Sequence, residues 1–346
     1  MFFVLKITPM QFFTLICSQF LIVLVAAFPL AAAAQPPTMK AIVLHESGGP
    51  EVLKYEDAPR PQPKDDEVLI RVMAAAVNPV DVFIREGRIT RFPLIPGMDV
   101  AGAVEQVGNK VAKFKPGDAV YAYLSFEEQG GYAEFAVANQ DHATLKPRSI
   151  DFEKAAAVPL AATTAWQALV EKAGLSAGQT VLIHGGSGGV GTFAVQIAKA
   201  RGAKVIATAS TANQELLKQL GVDQPIDYTT TKFEDVVKDV DVVLNAVRGD
   251  TLARSYGVVK KGGVIVSITG QPDPGELEKY GIRGGGLSAH PDAKVLEELA
   301  KLIDDGKITP IVSAVVPLVD VAKAHQQIAS RHTRGKIVLK IAEPPK

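Results

Sequence analysis

The segment that most constrains this chain is a glycine-rich turn between an apolar strand and a helix. Thr180 to His184 has the pattern of a buried β-strand, and Gly185-Gly186-Ser187-Gly188-Gly189-Val190-Gly191 follows at once, before a segment of helical pattern. Gly186, Gly188 and Gly191 fit the spacing Gly-x-Gly-x-x-Gly. In that pattern the first glycine permits a tight turn, the second lets backbone N–H groups approach a pyrophosphate, and the third lets the helix pack closely on the strand. The segment therefore predicts a dinucleotide-binding turn, with a helix N-terminus directed at the phosphates.

Two other interpretations of this turn stay open. It can be an ordinary glycine-rich connection between a strand and a helix. Gly185-x-Ser187-x-Gly189 also fits the nucleophile elbow of α/β-hydrolases, in which Ser187 would be the nucleophile. A hydrolase needs an acid and then a histidine later in the chain, and histidines are available after Ser187. Because the elbow explains neither Gly191 nor the long β-rich segment before it, a serine hydrolase is the remote alternative.

The strand after the turn bears on the choice of coenzyme. NAD sites usually carry Asp or Glu about 20 residues after the first glycine, where the carboxylate holds the adenosine ribose diol. Here the strand ends in Ala207-Thr208-Ala209-Ser210-Thr211, and no acidic residue follows before Glu215. Without a carboxylate nothing repels a 2′-phosphate, and the Ser210 and Thr211 hydroxyls can donate hydrogen bonds to one. We therefore predict NADP(H), although the nearest basic side chain, Lys218, lies farther along the next helix.

The chain divides into two kinds of secondary structure. Residues 40 to about 155 contain short apolar runs, such as Val68–Val72 and Ala119–Tyr123, between clusters of Pro, Gly and Asp, which predicts a small β-barrel. An Ala-rich helical segment, Phe152–Lys172, then leads into alternating strands and helices, which are typical of a parallel, doubly wound sheet. We predict an α/β protein with a barrel domain over residues 35–155, completed by residues 310–346, and a nucleotide-binding domain over residues 156–309.

Composition excludes several classes of protein. Lys plus Arg number 37 and Asp plus Glu number 37, so the formal net charge is zero. A protein that binds nucleic acid by neutralising phosphates needs a basic excess, so we expect no nucleic-acid partner. The single cysteine, Cys17, excludes intramolecular disulfides and cysteine-based zinc sites.

The first 34 residues have the pattern of a secretory signal peptide. No charged residue lies between Lys6 and Lys40, and an apolar run from Phe20 to Leu30 leads into Ala31-Ala32-Ala33-Ala34. A short basic start, an apolar middle and a small-residue end are the parts of such a leader, and cleavage would follow the last alanine. This predicts a periplasmic or secreted protein with no stable membrane span after cleavage.

Two alternatives for the N-terminus remain. An uncut leader could anchor the chain in a membrane, since about 20 apolar residues span a bilayer. Translation could instead begin at Met39, which would place the protein in the cytoplasm. Export conflicts with the predicted coenzyme, because NADPH is scarce outside the cytoplasm and the leader has no twin-arginine pair.

Short motifs along the chain together resemble one family. They are Met39-Lys40-Ala41, Asn78-Pro79-Val80-Asp81, Pro96-Gly97-Met98-Asp99-Val100-Ala101-Gly102, Lys115-Pro116-Gly117-Asp118, Gly130-Gly131-Tyr132-Ala133-Glu134, Ala162-Thr163-Thr164-Ala165-Trp166, the glycine turn, and Arg334-Gly335-Lys336-Ile337-Val338. In this order they make residues 39–341 similar to the medium-chain dehydrogenase/reductase superfamily, in its zinc-free quinone oxidoreductase (zeta-crystallin-like) branch. The resemblance implies a GroES-like β-barrel domain, a Rossmann domain and a homodimer.

The resemblance also implies a reaction without a metal. Zinc-dependent relatives have Cys where this chain has Asn78, and Gly-His-Glu where it has Gly97-Met98-Asp99. Asn and Met do not replace a thiolate and an imidazole on zinc. What remains is hydride transfer from NADPH to a quinone or an α,β-unsaturated carbonyl, the small-molecule substrate. The alternative is a protein that binds NADPH without turnover, in the manner of lens crystallins or redox sensors.

Asn78 is the candidate catalytic residue. By the resemblance it borders the substrate pocket, and its amide can donate to a carbonyl oxygen of the acceptor. Asn78 followed by Pro79 and Asp81 also fits a helix start, and the two roles need not exclude each other. Many relatives have Tyr where this chain has Phe83, which removes one candidate proton donor, so solvent or a ribose hydroxyl is left to supply the proton.

The resemblance assigns further residues to the coenzyme. Thr164 matches a threonine near the nicotinamide, and Tyr228 matches a tyrosine near the adenosine phosphate. Lys336 either reaches a phosphate or is an exposed end of the last strand. The C-terminal ends of predicted strands, where open α/β sheets bind ligands, contribute Ala246, Val247 and Ile268, each of which can equally be ordinary core.

Overall fold

A computed structural model describes Phe2 and residues 37–128, 130–330 and 332–343. Apart from Phe2, the predicted signal peptide lies outside the described residues. The strands are β1 (Thr38–Val43), β2 (Lys54–Pro59), β3 (Glu67–Val77), β4 (Asp99–Val107), β5 (Ala119–Tyr123), β6 (Phe135–Asn139), β7 (Ala143–Leu145), β8 (Thr180–His184), β9 (Lys204–Ala209), β10 (Gln224–Asp227), β11 (Val240–Asn245), β12 (Val259–Ser267), β13 (Arg283–Gly286), β14 (Val312–Pro317) and β15 (Lys336–Lys340).

The helices connect and cover these strands. They are α1 (Pro79–Phe83), α2 (Phe152–Ala156), α3 (Pro159–Trp166), α4 (Gly189–Ala200), α5 (Gln214–Gln219), α6 (Phe233–Val236), α7 (Thr251–Ser255), α8 (Pro274–Tyr280), α9 (Ala293–Asp304) and α10 (Val321–Ala329). Among the helices that the structure describes, none has the length and apolar character needed to cross a membrane.

The predicted parallel sheet is confirmed. Six parallel strands lie in the order β10-β9-β8-β11-β12-β13, so the chain runs outward from β8 in one direction and then returns to continue from β11 in the other. This is the order of a Rossmann sheet, and the reversal between β8 and β11 opens a crevice at their carboxyl ends. The central strands are apolar on both faces because helices cover both sides.

The second sheet is the barrel. It has the order β14-β15-β3-β4-β5-β7, with β6 also paired to β3, while β1 and β2 form a separate antiparallel pair. The last strand, β15, pairs antiparallel with β3 through Ile337 and Val77. The C-terminal strands therefore complete a sheet whose other strands lie before residue 150.

The Ala-rich segment departs from the predicted single helix over Phe152–Lys172. It forms α2, a break at Ala157 and Val158, then α3, which continues in a π-helical segment, Gln167–Lys172. Pro159 explains the break, because proline has no N–H to donate and disfavours helical backbone at the residue before it. The small alanines of α3 bury against Phe193 of α4 in the largest core cluster.

Candidate active site

The glycine turn lies in the crevice between β8 and β11. Gly185 has a φ of +77°, and a Cβ added there would lie 2.9 Å from Val247 Cγ1, so the turn contacts the residues that follow β11. A Cβ on Gly191 would lie 2.0 Å from the Gly185 carbonyl oxygen. A side chain at Gly191 would therefore separate the helix from the turn, which is the packing role predicted for the third glycine.

The turn presents main-chain amides that α4 leaves without an intrahelical acceptor, and one of them, at Gly189, faces Gly335 across an isolated parallel bridge between Gly188 and Gly335. Gly188 is the N-cap of α4 and provides no side-chain cap, and the first intrahelical bond runs from Thr192 N to Gly188 O, at 3.0 Å. The N–H groups of residues 189–191 thus have no acceptor within the helix. A Cβ added at Gly188 would meet nothing closer than the Gly185 oxygen at 3.4 Å. Amides without an intrahelical acceptor, the positive end of the helix and open space in front of Gly188 fit the diphosphate of a dinucleotide.

Ser187 has no catalytic partner. All six histidines lie in the described residues, and none makes a hydrogen bond to Ser187. The nearest in sequence, His184, faces Thr208 Oγ1 at 3.3 Å and Ser255 Oγ at 3.1 Å, and burial lowers its pKa to about 3. The Ser187 carbonyl instead accepts from Gly335 N at 2.9 Å. The hydrolase interpretation is therefore wrong in its geometry, since no general base stands beside the serine.

The residues predicted for the adenosine side of the crevice lie at the ends of β9 and β10. Ser210 caps a short 3-10 turn, and its hydroxyl accepts from Asn213 Nδ2 at 3.1 Å. The Thr211 hydroxyl lies 2.9 Å from the Thr229 hydroxyl. Tyr228, which is exposed, follows β10 and donates its backbone N–H to Ala209 O at 3.2 Å. The residues predicted for the adenosine phosphate thus converge from two neighbouring strands.

A carboxylate that the sequence pattern does not mark also lies here. Asp227 ends β10, beside Ala209 at the end of β9, and its Oδ1 accepts from Thr229 Oγ1 at 2.7 Å. The Thr211 and Thr229 hydroxyls lower the pKa of the Asp227 carboxyl, so it is ionised at neutral pH. The end of β9 itself carries no carboxylate, as the sequence shows, but in the folded protein the Asp227 carboxylate lies beside it.

On the opposite wall, three buried polar residues form one network. Asn78 Nδ2 donates to Asp99 Oδ2 at 2.9 Å and to the Ala76 carbonyl at a long 3.4 Å. Lys336 Nζ donates to Asn78 Oδ1 and to Asp99 Oδ2, the latter at 3.1 Å. The second Asp99 oxygen accepts from Leu160 N at 2.7 Å. Burial of a charged pair is costly in free energy unless the groups are paired and hydrogen-bonded, as they are here.

Two expectations are settled by this network. The helix-start interpretation of Asn78 is confirmed, because Asn78 is the N-cap of α1, Pro79 is its first residue, and Asn78 N donates to Asp81 Oδ2 at 2.8 Å. The interpretation of Lys336 as an exposed strand end is wrong, since it is 3% exposed. Its stem lies against the turn, with Cδ 3.1 Å from where a Gly189 Cβ would be.

Behind Asn78 lies a second buried group of polar residues. Asp81 Oδ2 also accepts from Tyr132 OH at 2.9 Å, and burial raises the pKa of Asp81 to about 7. The Tyr132 ring contacts His325 edge-on, with centroids 5.9 Å apart. Burial and the nearby Arg85 lower the pKa of His325 to about 3. Asp81 and His325 therefore have shifted pKa values because neither side chain faces bulk water.

The remaining predicted coenzyme residues surround the crevice. Thr164 is buried in α3, and its hydroxyl donates to the Leu160 carbonyl at 2.7 Å. Ala246 and Val247 follow β11, next to the glycine turn. Ile268 follows β12, and its N–H donates to the Asn245 carbonyl at 3.0 Å. Val190 packs partly buried against the main core.

Comparisons with known proteins agree with this geometry. A family model described as alcohol dehydrogenase GroES-like domain matches residues 64–148, and one described as zinc-binding dehydrogenase matches residues 220–339. The chain is 39% identical over 324 residues to the chloroplastic NADPH-dependent alkenal/one oxidoreductase of Arabidopsis thaliana, covering 89% of this chain and 81% of that protein. It is 37% identical over 323 residues to the quinone oxidoreductase of Sus scrofa, covering 87% and 97%.

A solved structure shows the same fold. The quinone oxidoreductase of Coxiella burnetii superposes with a TM-score of 0.83 at 34% identity, over 88% of this chain and 100% of that one. The chain belongs to the medium-chain dehydrogenase/reductase superfamily, in its quinone oxidoreductase branch. It is an oxidoreductase with a GroES-like domain and a Rossmann-like parallel-sheet domain.

Proposed function

We propose that this protein is an NADP(H)-dependent, zinc-free reductase of quinones or α,β-unsaturated carbonyls. The observation that carries the proposal is the pairing of two features across one crevice. On one wall are the amides of the glycine turn that have no intrahelical acceptor, and on the other is the buried network of Asn78, Asp99 and Lys336. The names of the Arabidopsis and Sus scrofa relatives support the substrate class.

The choice of NADP(H) is supported by hydroxyls and opposed by one carboxylate. Ser210 and Thr211 follow β9 and can donate hydrogen bonds to a 2′-phosphate, and the Arabidopsis relative is named as NADPH-dependent. Asp227 lies beside them and repels a phosphate. We propose that the protein prefers NADP(H) over NAD(H) and that Asp227 weakens this preference. A comparison of the dissociation constants of NADPH and NADH measures the preference.

The absence of zinc is supported by the donor set. Asn78, Met98 and Asp99 stand where zinc-dependent relatives have their ligands, and Met98 packs in an apolar cluster. Asp99 has both oxygens engaged, and the Lys336 ammonium already supplies a positive charge beside it. In the described residues, no group of three or more His, Cys, Asp and Glu side chains is placed to hold a metal ion. These residues do not fit a zinc site.

In the proposed reaction, the residues of this chain position the coenzyme and polarise the acceptor carbonyl. When bound, the reduced nicotinamide supplies the hydride. Lys336 donates to the Asn78 carbonyl oxygen, which polarises the amide and makes its N–H a stronger donor. The contact of Asn78 Nδ2 with Ala76 O is long, so an acceptor oxygen can replace it. Asn78 thereby acts as an electrophilic donor to the acceptor, while Thr164 and Ile268 line the nicotinamide end.

The experiment is stopped-flow mixing of the protein and NADPH with 1,2-naphthoquinone or with a short enone. A reductase oxidises the coenzyme, so absorbance at the nicotinamide band falls on mixing with either acceptor. A protein that binds without turnover quenches or shifts coenzyme fluorescence and leaves that absorbance unchanged. No binding and no oxidation would reject the proposal.

We further propose that the protein is a homodimer and that it is exported through the leader. The family resemblance supports the first proposal, and the signal-peptide pattern of the first 34 residues supports the second. Light scattering of the mature protein measures the first. N-terminal sequencing of the native protein measures the second, because Gln35, Met39 and Met1 correspond to export, to a cytoplasmic start and to an uncut leader.

A further inference from the structure

An exposed arginine lies beside the crevice. Arg248 follows β11, directly after Val247, the residue that contacts the glycine turn at Gly185. In the described part of the chain, the Arg248 guanidinium makes no hydrogen bond and no ion pair. Its one specific contact is with the face of the Phe83 ring, whose centroid is 4.8 Å from the guanidinium carbon.

The backbone beneath Arg248 is fixed. The Val247 carbonyl accepts two hydrogen bonds, from Asn245 Nδ2 at 3.0 Å and from Thr269 Oγ1 at 2.8 Å. Gly249, the next residue along the chain, has a φ of +96°, a backbone conformation that favours glycine. Because the backbone around Arg248 is held while its guanidinium is exposed, the side chain can change rotamer with little loss of backbone conformational entropy.

The contact joins the two walls of the crevice. Phe83 ends α1, the helix that begins at Asn78, whereas Arg248 extends from the Rossmann sheet. We expect a dinucleotide that runs from the glycine turn toward Asn78 to lie beside this contact. Stacking on Phe83 uses the face of the guanidinium and leaves the N–H donors at its edge available.

A diphosphate in this crevice requires positive charge. The amides of the turn supply dipoles but no net charge, and Lys336, whose stem lies against Gly189, is already paired with Asp99. We propose that Arg248 is a cationic arm that closes over the crevice and binds the diphosphate of the coenzyme, holding it against the glycine turn. This inference rests on the proposed function, because the ligand is the coenzyme of that reaction.

The test is equilibrium binding of NADPH to the full-length protein, followed by nicotinamide fluorescence. Arg248→Gln should raise the Kd about tenfold, the effect of one charge-assisted hydrogen bond at a partly exposed site. Arg248→Lys keeps the charge but not the flat fork, so its Kd should lie between the two. The matched control is Arg148→Gln, an exposed arginine far from the glycine turn in sequence, which should leave the Kd unchanged.

Two further measurements identify the group that Arg248 binds. ADP-ribose, which keeps the diphosphate but has no nicotinamide, should lose affinity for Arg248→Gln by the same factor as NADPH. The affinity for NADPH should also depend less steeply on salt in that variant, because one charge pair has been removed.

Other outcomes overturn the inference. If Arg248→Gln leaves the Kd of NADPH unchanged but raises the KM of a carboxylate-bearing enone relative to a neutral one, Arg248 recognises the acceptor and the arm is rejected. Unchanged binding and kinetics also reject it, while leaving the proposed function intact. Wild-type protein that binds no NADPH would remove the proposed function together with the arm.

Discussion

At the scale of single residues, the site depends on charges that the fold has placed in pairs. Lys336 and Asp99 are both buried, and Asn78 holds each of them by one hydrogen bond. The Lys336 ammonium is separated from Asn78 by 258 residues of chain, so no local pattern indicates that they meet. Sequence motifs identify each of these residues, but only the pairing of β3 with both β15 and β4 brings them together.

Loss of Lys336 should therefore leave an uncompensated buried charge. Lys336→Met is expected to lower the free energy of unfolding by about 3–5 kcal/mol, because Asp99 remains buried without its partner. Adding Asp99→Asn should recover part of that loss, since the amide carries no charge and still accepts from Leu160 N. Urea unfolding of both variants measures the difference, and equal stabilities would show that the pair is not coupled.

Asp227 is the residue that should set the strength of coenzyme preference. Asp227→Asn removes a negative charge next to Thr211 and should tighten NADPH binding about fivefold, while NADH binding stays the same or weakens. Asp239→Asn is the matched control, because Asp239 is exposed at a φ of 56°, which asparagine adopts readily. A parallel change for both coenzymes would place Asp227 away from the 2′-phosphate.

At the scale of elements, the parts with strong local patterns could be predicted from the sequence. The apolar strand β8 and the glycine turn fall where expected, although α4 begins at Gly189, inside the glycine run that was expected to precede the helix. The sequence does not mark this earlier start because two residues of the first turn, Gly189 and Gly191, have no side chains that could form a helical pattern. The fingerprint thus located the turn but not the boundary of the helix.

Edge strands could not be predicted in the same way. β10 contains Pro225, which is tolerated because the strand lies at the edge of the sheet, and β13 is largely glycine. A Cβ on Gly284 would lie 2.5 Å from Ile265 Cγ2, so the close approach of β12 leaves no room for a patterned side chain. Since β10 supplies Asp227, the unpredicted strand also accounts for the unpredicted carboxylate.

Substitutions at two glycines of the turn should distinguish an effect on coenzyme binding from an effect on stability. Gly191→Ala places a methyl group 2.0 Å from the Gly185 oxygen, so it should lower Tm by several degrees and abolish NADPH binding. Gly188→Ala meets only an ordinary contact at 3.4 Å, so Tm should stay near that of the wild type while the methyl group blocks the diphosphate. Thermal unfolding with coenzyme titration distinguishes them, and tight binding by Gly188→Ala would contradict an amide cradle at this turn.

At the scale of the whole molecule, buried titratable groups couple stability to pH. Native His325 has a pKa of about 3 against 6.5 in the unfolded chain, so only the unfolded chain binds the proton between these values. The free energy of unfolding therefore falls as the pH is lowered from about 6.5 to 3, and His184 acts in the same direction. Asp81 acts oppositely, because its raised pKa gives stability below pH 3.8 that is lost as the pH rises to about 7.

Removing His325 should flatten this dependence. Between pH 4 and 6, His325→Phe is expected to reduce the slope of the unfolding free energy by about 1.4 kcal/mol per pH unit, the value for one proton. His332→Gln, at an exposed histidine, is the control and should keep the wild-type slope. Identical slopes for wild type and His325→Phe, measured by urea unfolding across this range, would show that His325 is protonated in the native state.

The most direct measurement of the central claim is a crystal structure of the protein with NADPH. The account predicts the coenzyme diphosphate within hydrogen-bond distance of the main-chain N–H groups of residues 189–191, with the nicotinamide beside Asn78 and Thr164. Density for the coenzyme elsewhere, or a glycine turn that stays empty at saturating NADPH, would contradict it.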